Sequence, residues 1–574
     1  MNIKKSALTL AIISSLTLSA CGSSDSDSAS PIEENTAPTD ITSSNLTVEE
    51  NSIAAIVGDL SAVDADSGDT FTFTVSDERF TVSGNELSLA EGVAFDYESE
   101  TTIDVEIVVT DSAAATFTKT LTIEITNVLD TYSFDSKIID GESSVSYTGQ
   151  IARHVLIAEL NNYIGNQLDD DLKPQNAVLT TRQQVLDKLD SFYRTTEIQY
   201  DNFPITFMDN AEQSYITDIS GSHKNLSGKI AGNDAAGQHK DWATEFAGWG
   251  AKGSTTPEGL IDIYFGQLAD NAEQSLLGNA RFSSTGEELT NVYVNTDGTD
   301  LQQLIQKFLL VAITYSQATD DYLDNDLDGK GLTTENIGSD SAYTTLEHQF
   351  DEGFGYFGAS REYLAYSDIE LSGKVESDEE GRIEWNNHHD TNGDGEFDLT
   401  SEVNFGNSVN AAKRDRGTAS NTTPTDFTAV TMGAFLEGRK IINDNAGFDL
   451  TDAQMAELLA QRDIVVDGWE RAIAATVVHY INDLNADLDN LDTDDFSYTD
   501  LAKHFSELKG FALGLQFNPY SKITDAKFEE LHTLIGDAPE LDSGSVVAYQ
   551  ANLLLARDII EDALSFDAEN VTNW

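Results

Sequence analysis

Residues 324–335 read DNDLDGKGLTTE, and their spacing suits a hard divalent cation. Asp324, Asp326 and Asp328 recur at alternate positions, so their oxygens converge; Gly329 permits the sharp turn, Lys330 offers its carbonyl, and Glu335 closes the loop with both oxygens. Gly331 stands where paired calcium loops carry a branched apolar residue, so a single loop is expected. Residues 390–398 repeat the logic with Asp390, Asn392, Asp394, Glu396 and Asp398 around Gly393 and Gly395, but the twelfth residue is Ser401 and Glu402 follows one place late. Both stretches point to Ca²⁺, set against the plain reading of solvated acidic loops in an acidic chain. A third constellation is His348 with Asp351 and Glu352. On a helix these lie on one face, so imidazole and carboxylates are candidates to share iron or zinc. Two such groups do not fix an ion alone, and a structural hydrogen bond is the preferred reading.

These residues sit in a chain of 574 with 32 Lys and Arg against 100 Asp and Glu, a net charge of −68. Nucleic acid and anionic membrane surfaces are thereby excluded as general partners. With 40% hydrophobic residues the chain has enough apolar side chain to fold. A Walker loop, a dinucleotide-binding glycine motif following a strand and a nucleophile-elbow motif are all missing from the sequence, so activated Ser or Cys hydrolysis has no support.

The chain opens with Lys4 and Lys5, then an apolar run from Ser6 to Ala20, and its one cysteine, Cys21, follows Leu18-Ser19-Ala20. Residues 1–20 are expected to be a lipoprotein signal, with Cys21 acylated (palmitate among its chains). No Asp follows Cys21, which points to the outer membrane, on either its periplasmic or its cell-surface face. Residues 21–35, rich in Ser and Asp, form a self-repelling tether. From Asn45 the period is two: Leu46 to Val48, Thr70 to Val75, Ile103 to Val109 and Phe117 to Ile125 alternate as sandwich strands do. After Asp130 the period is helical, over Gln150–Gln167, Gly259–Leu277, Leu301–Tyr322, Phe427–Ile442, Asp452–Asp489 and Val546–Leu564. The expected architecture is multidomain: a small all-β sandwich over 36–130, then a large mainly α multi-helix domain over 131–574.

Acidic residues gather at the strand ends: Glu50 in Glu-Glu-Asn, Asp64 and Asp66 in D-A-D-S-G, Asp96 and Glu98 in F-D-Y-E, and Asp111. In this order they resemble the motifs of a cadherin-like repeat, which imply calcium at repeat boundaries; Glu33-Glu34-Asn35 and Asn127 to Asp130 stand where linkers would. The loop at 390–398 resembles dockerin-type and related calcium loops. Over about residues 132–574, Tyr147 to Gln150, Leu226 to Gly232, Glu347 to Gly358, Asn404 to Asp415 and Lys509 to Pro519 resemble an uncharacterised bacterial lipoprotein family, domain of unknown function 4856. The chain is also similar in style to imelysin-like proteins, although Gly-x-His-x-x-Glu becomes His348-x-x-Asp351-Glu352. These resemblances imply a surface-anchored, non-enzymatic binding protein with calcium loops and an unknown extracytoplasmic ligand, in the line of metal or iron acquisition. The alternatives are an imelysin-like metallohydrolase and calcium-dependent adhesion.

Overall fold

The computed structural model describes residues 34–574 except 96, 98, 99, 127, 177, 234–236 and 339. The expected signal, the tether through residue 33 and Cys21 lie outside the described residues. The chain divides into two compact units between Val128 and Leu129.

The first unit is a β-sandwich. Its strands are β1 (Asp40–Ser43), β2 (Thr47–Glu49), β3 (Ile56–Val63), β4 (Thr72–Val75), β5 (Phe80–Ser83), β6 (Glu86–Leu89), β7 (Thr102–Thr110) and β8 (Thr116–Thr126). One sheet has the order β1-β3-β6-β5 and the other β2-β8-β7-β4, with β2 and β8 parallel. Strict alternation drives the fold. Ile103, Val105, Ile107 and Val109 of β7 are buried while the residues between them face outward. Leu121, Ile123 and Ile125 do the same on β8. Register between β7 and β8 runs unbroken from Thr102↔Glu124 to Thr110↔Thr116, so one end of this ribbon carries Asp111 and the other carries Glu50 beside Thr126.

The second unit is helical. Its helices of two turns or more are α1 (Thr148–Asn166), α2 (Arg182–Tyr193), α3 (Pro257–Leu276), α4 (Leu301–Leu309), α5 (Thr345–Phe357), α6 (Gly406–Thr418), α7 (Phe427–Asp444), α8 (Asp452–Asp489), α9 (Tyr498–Ala512), α10 (Asp525–Ile535) and α11 (Val546–Leu564). Two of the long helices start at side-chain caps. Thr256 accepts from Gly259 N–H ahead of Pro257, and Thr451 forms a capping box with Gln454. The helix expected through Tyr322 changes hand-off at Leu310: Leu310–Tyr315 and Ala318–Tyr322 are wound as π-helix, a widening that sequence periodicity does not signal. α8 is the spine, packing against α6, α7, α9 and α11.

The helical core contains ions as well as hydrocarbon. Arg439 of α7 is fully buried; its Nη1 donates to Glu347 at 2.8 Å and its Nε to Asp351 at 2.7 Å, while Nη2 reaches Ser144 Oγ at 2.9 Å. Tyr132 Oη and Ser146 N–H also donate to Asp351. One guanidinium thus fastens α5 and the 132–146 segment to α7. Deleting one member of such a network strands buried charge, at about 3–5 kcal/mol. Arg439→Met is therefore expected to destabilise the helical unit by about that amount. Denaturant unfolding followed by tryptophan fluorescence measures it, since all five Trp lie at or beyond residue 242.

His154 of α1 is sealed beside Phe405 and its Nε2 lies 3.1 Å from the Tyr356 carbonyl, which makes Nε2–H the donor. Burial pushes its pKa down to about 4. A base whose folded pKa is depressed binds more protons unfolded, so stability is lost as pH falls from its ordinary value near 6.5 toward 4. His154→Gln, which retains an N–H for that carbonyl, is expected to abolish about 3 kcal/mol of this acid-side loss in unfolding titrations across that range.

Candidate metal centres

At the Asp111 end of the sandwich three carboxylates meet. Asp64 follows β3, Asp69 precedes β4 and Asp111 follows β7, and a ligand oxygen from each lies within 4.8 Å of the others. Asp111 is 6% exposed and is fixed by three donors: Ala113 and Ala115 N–H on Oδ1, and the Asn35 amide on Oδ2 at 2.9 Å. That amide, followed by the backbone donors, holds its pKa below the usual carboxylate range. Asp64 Oδ1 accepts Asp66 N–H and Asp69 Oδ1 accepts the Ser112 hydroxyl. Their Oδ2 atoms are sealed from solvent and meet no donor. Residues 34–128 contain two cationic side chains, Arg79 and Lys119. Arg79 pairs with Asp77 and Glu100, and Lys119 with Asp40. Converging carboxylates with orphaned oxygens and no protein counter-charge are the donor set that a hard divalent cation takes.

Sequence spacing selected Asp64, Asp66 and Asp111, and the structure replaces the middle one. Asp66 Oδ2 accepts Thr36 N–H at 2.6 Å and Thr36 Oγ1 at 2.8 Å, so it pins the incoming chain while Asp69 completes the triad. Glu50 sits at the far end of β8. There its two oxygens accept Tyr97 N–H at 2.7 Å and Val128 N–H at 2.6 Å, making it a clasp between strand ends. Asp96 and Glu98 lie outside the described residues.

In the helical unit, the first part of loop 390–402 is ordered by its own backbone donors. Asp390 accepts N–H donors from Gly393, Asp394 and Gly395, with the Gly395 bond foremost in holding its pKa low. Asn392 accepts from Asp394 N–H and Asp394 from Glu396 N–H, both at 2.9 Å. Gly393 and Gly395 adopt φ of +74° and +89°, conformations that a Cβ would strain. Phe397 pairs with Ala211 in a short bridge that anchors the loop to a neighbouring segment. The late Glu402 is 2% exposed; it turns back to accept Thr391 N–H at 2.7 Å and Asp398 N–H at 2.8 Å, closing the loop on itself. Asp398 is occupied by Gln213, Thr400 and Ser401. Asp390, Asn392, Asp394 and Glu396 remain at the open face.

Loop 324–335 departs further from expectation. Asp324 is buried and accepts the Tyr520 hydroxyl and Asp326 N–H. The Lys330 carbonyl, read as a ligand, is taken by Thr333 N–H and Oγ1 at 3.1 and 2.8 Å. The Lys330 ammonium instead pairs with Asp321, a buried carboxylate of the second π-turn. Asp326, Asp328 and Glu335 are exposed. The Lys330 ammonium thus serves Asp321 and not the acids of the loop.

Of His348, Asp351 and Glu352, only His348 and Glu352 approach each other. Asp351 belongs to the Arg439 network. His348 Nδ1 donates to the Ser146 carbonyl at 2.9 Å and its Nε2 stands 3.9 Å from Glu352, which Gln150 and Gln349 already hydrogen-bond. The arrangement is a structural one. Sequence reasoning also missed Glu347 and Arg439, whose signal is only a charge on an apolar helix face.

A β-sandwich bearing a carboxylate triad and a helical unit bearing the open acidic loop 390–402 define the class. Residues 130–367 match the family described as Domain of unknown function (DUF4856), which places that family's domain in the first half of the helical unit. No curated protein matches the chain.

The triad predicts a sign reversal. Without divalent cations, Asp69→Asn removes a like charge near two others and is expected to stabilise the sandwich by about 1–3 kcal/mol. With saturating Ca²⁺ the same change is expected to destabilise it. Calorimetric melting identifies the sandwich as the transition without a tryptophan signal.

Proposed function

We propose that this protein is a lipid-anchored, extracytoplasmic binding protein whose cadherin-like sandwich takes up Ca²⁺ at Asp64, Asp69 and Asp111. The helical unit acts as the ligand-bearing head, with loop 390–402 as a secondary calcium loop. The observation that carries this reading is the pair of sealed, donorless Oδ2 atoms on Asp64 and Asp69 beside Asp111, in a sandwich whose two cations are engaged elsewhere. Asn35 and Thr36, which bond to Asp111 and Asp66, make the stretch entering the sandwich part of the same centre. Ion uptake there stiffens the junction between tether and sandwich and makes the repeat a spacer. The anchor is Cys21, and the outer membrane is its location. A His348-centred metallohydrolase has no comparable support, because Asp351 is held by Arg439.

The test is titration calorimetry of Ca²⁺ into the chelator-treated full chain. The expected result is saturable binding with a raised melting temperature of the sandwich transition, and loss of that shift in Asp64→Asn and Asp69→Asn. Absence of both heat and thermal shift in the unaltered chain contradicts the proposal.

A further inference from the structure

Cations are scarce in this chain, and in the helical unit they generally have carboxylates beside them. Arg194 meets Asp190, Glu258 and Asp262; Arg382 meets Glu370; Arg471 and Lys522 share Asp467. Two adjacent cations on α6, Lys413 and Arg414, are different. Arg414 is 7% exposed, and its Nε is sealed from solvent without an acceptor. Among the described residues neither side chain makes an ion pair or hydrogen bond. Lys413 is half-buried, so the site is reachable from outside at that residue.

The groups around them supply only part of the counter-charge, and none accepts a hydrogen bond from either side chain. α6 packs on α8, which brings His479 and Tyr480 to this seam. Glu507 of α9 is within ionic reach; its Oε1 is engaged by Lys307 Nζ at 3.2 Å, which adds a further cation, and its buried Oε2 meets no donor, so it offsets part of the charge of three cations without hydrogen-bonding Lys413 or Arg414. Asp483 is 3.3 Å from His479 and 3.9 Å from His504. The electrostatics agree with the geometry. Burial and then the charges of Lys307 and Arg414 push Lys413 down to about 8, and burial brings Arg414 down to about 10. Burial, followed by Arg414 and His504, pushes His479 down to about 3, so it stays neutral. A desolvated guanidinium with no acceptor is costly unless a ligand supplies one.

We propose that Lys413 and Arg414, with Lys307 at the edge, form a binding site for the oxyanion of a small molecule, a phosphate or carboxylate group, at the seam of α6 with α8. A guanidinium fork presents two parallel N–H donors that match two oxygens of either group, and the ammonium groups of Lys413 and Lys307 add positive charge nearby. The net charge of −68 repels anions at long range, so such a group is held by local contacts and not by the general field. The site lies in Asn404 to Asp415, a stretch to which neither the calcium centres nor the Arg439 network gives a role, and it is independent of calcium.

The experiment is titration calorimetry of the full chain, in chelator at low salt, with inorganic phosphate and citrate as separate probes. The expected result is saturable binding of at least one probe at one per chain, weakened about tenfold or more by Arg414→Gln and by Lys413→Gln. Lys173→Gln, which removes an exposed partner of Asp170, is expected to leave it unchanged. Phosphate binding without citrate assigns a phosphoryl ligand, and the converse a carboxylate. Circular dichroism checks folding, and the half-buried Lys413 variant decides the matter should Arg414→Gln unfold. Binding of neither probe to the unaltered chain, or unchanged binding by folded Lys413→Gln, overturns the proposal.

Discussion

Shortage of positive charge is the constraint under which this molecule folds. With 32 cationic side chains for 100 carboxylates, most acids have no protein counter-ion, and the position of each cation shapes what surrounds it. Arg439 shows the effect in the core. By satisfying Glu347 and Asp351 together, it allows two carboxylates to sit where hydrocarbon would otherwise be required, and ties three segments into one body. Lys330 does similar work for Asp321 at the widened end of the α4 helix. In the sandwich the supply runs out. Arg79 and Lys119 are held by acids elsewhere, and Asp64, Asp69 and Asp111 converge without a donor for two of their oxygens.

That contrast organises the functional reading. Where an arginine reaches the acids, as around Asp351, the sequence pattern of a metal site is internal structure, and in loop 324–335 the Lys330 carbonyl and Asp324 are taken up by neighbouring side chains while Asp326, Asp328 and Glu335 stay exposed. Where no such side chain reaches the acids, the repulsion is left for a proton or a cation from solution to offset, which is why the sandwich triad ranks above the helical loops in the proposed reading. Loop 390–402 stands between the two cases. Its early carboxyl and amide oxygens are arranged by backbone donors, while Glu402, the residue meant to complete the shell, closes the loop instead. At α6 the imbalance is inverted, with Lys413 and Arg414 left short of acids in a chain full of them.

Much of the fold was legible from periodicity alone. The long helices α1, α3, α7, α8 and α11 begin and end within a few residues of the apolar stripes, and β7 and β8 follow their alternation. The shorter strands were not legible. In β3 the register shifts between Ile56 and Gly58, which breaks the period of two, and β5 and β6 are four residues each. At the sites, sequence named Asp64 and Asp111 but chose Asp66 over Asp69. The D-x-D spacing is local, whereas the triad forms across loops after β3, before β4 and after β7. Arg439 and Asp351 lie 88 residues apart, so no motif links them. The reversal of Lys330 from carbonyl ligand to ammonium partner depends on Asp321 turning inward in a π-turn, which side-chain spacing does not encode.

Long-wavelength anomalous diffraction from crystals of the full chain grown with Ca²⁺ tests the central claim most directly. The account predicts an anomalous peak coordinated by Asp64, Asp69 and Asp111. A map with no peak there, and with those three carboxylates turned apart toward solvent, would contradict it.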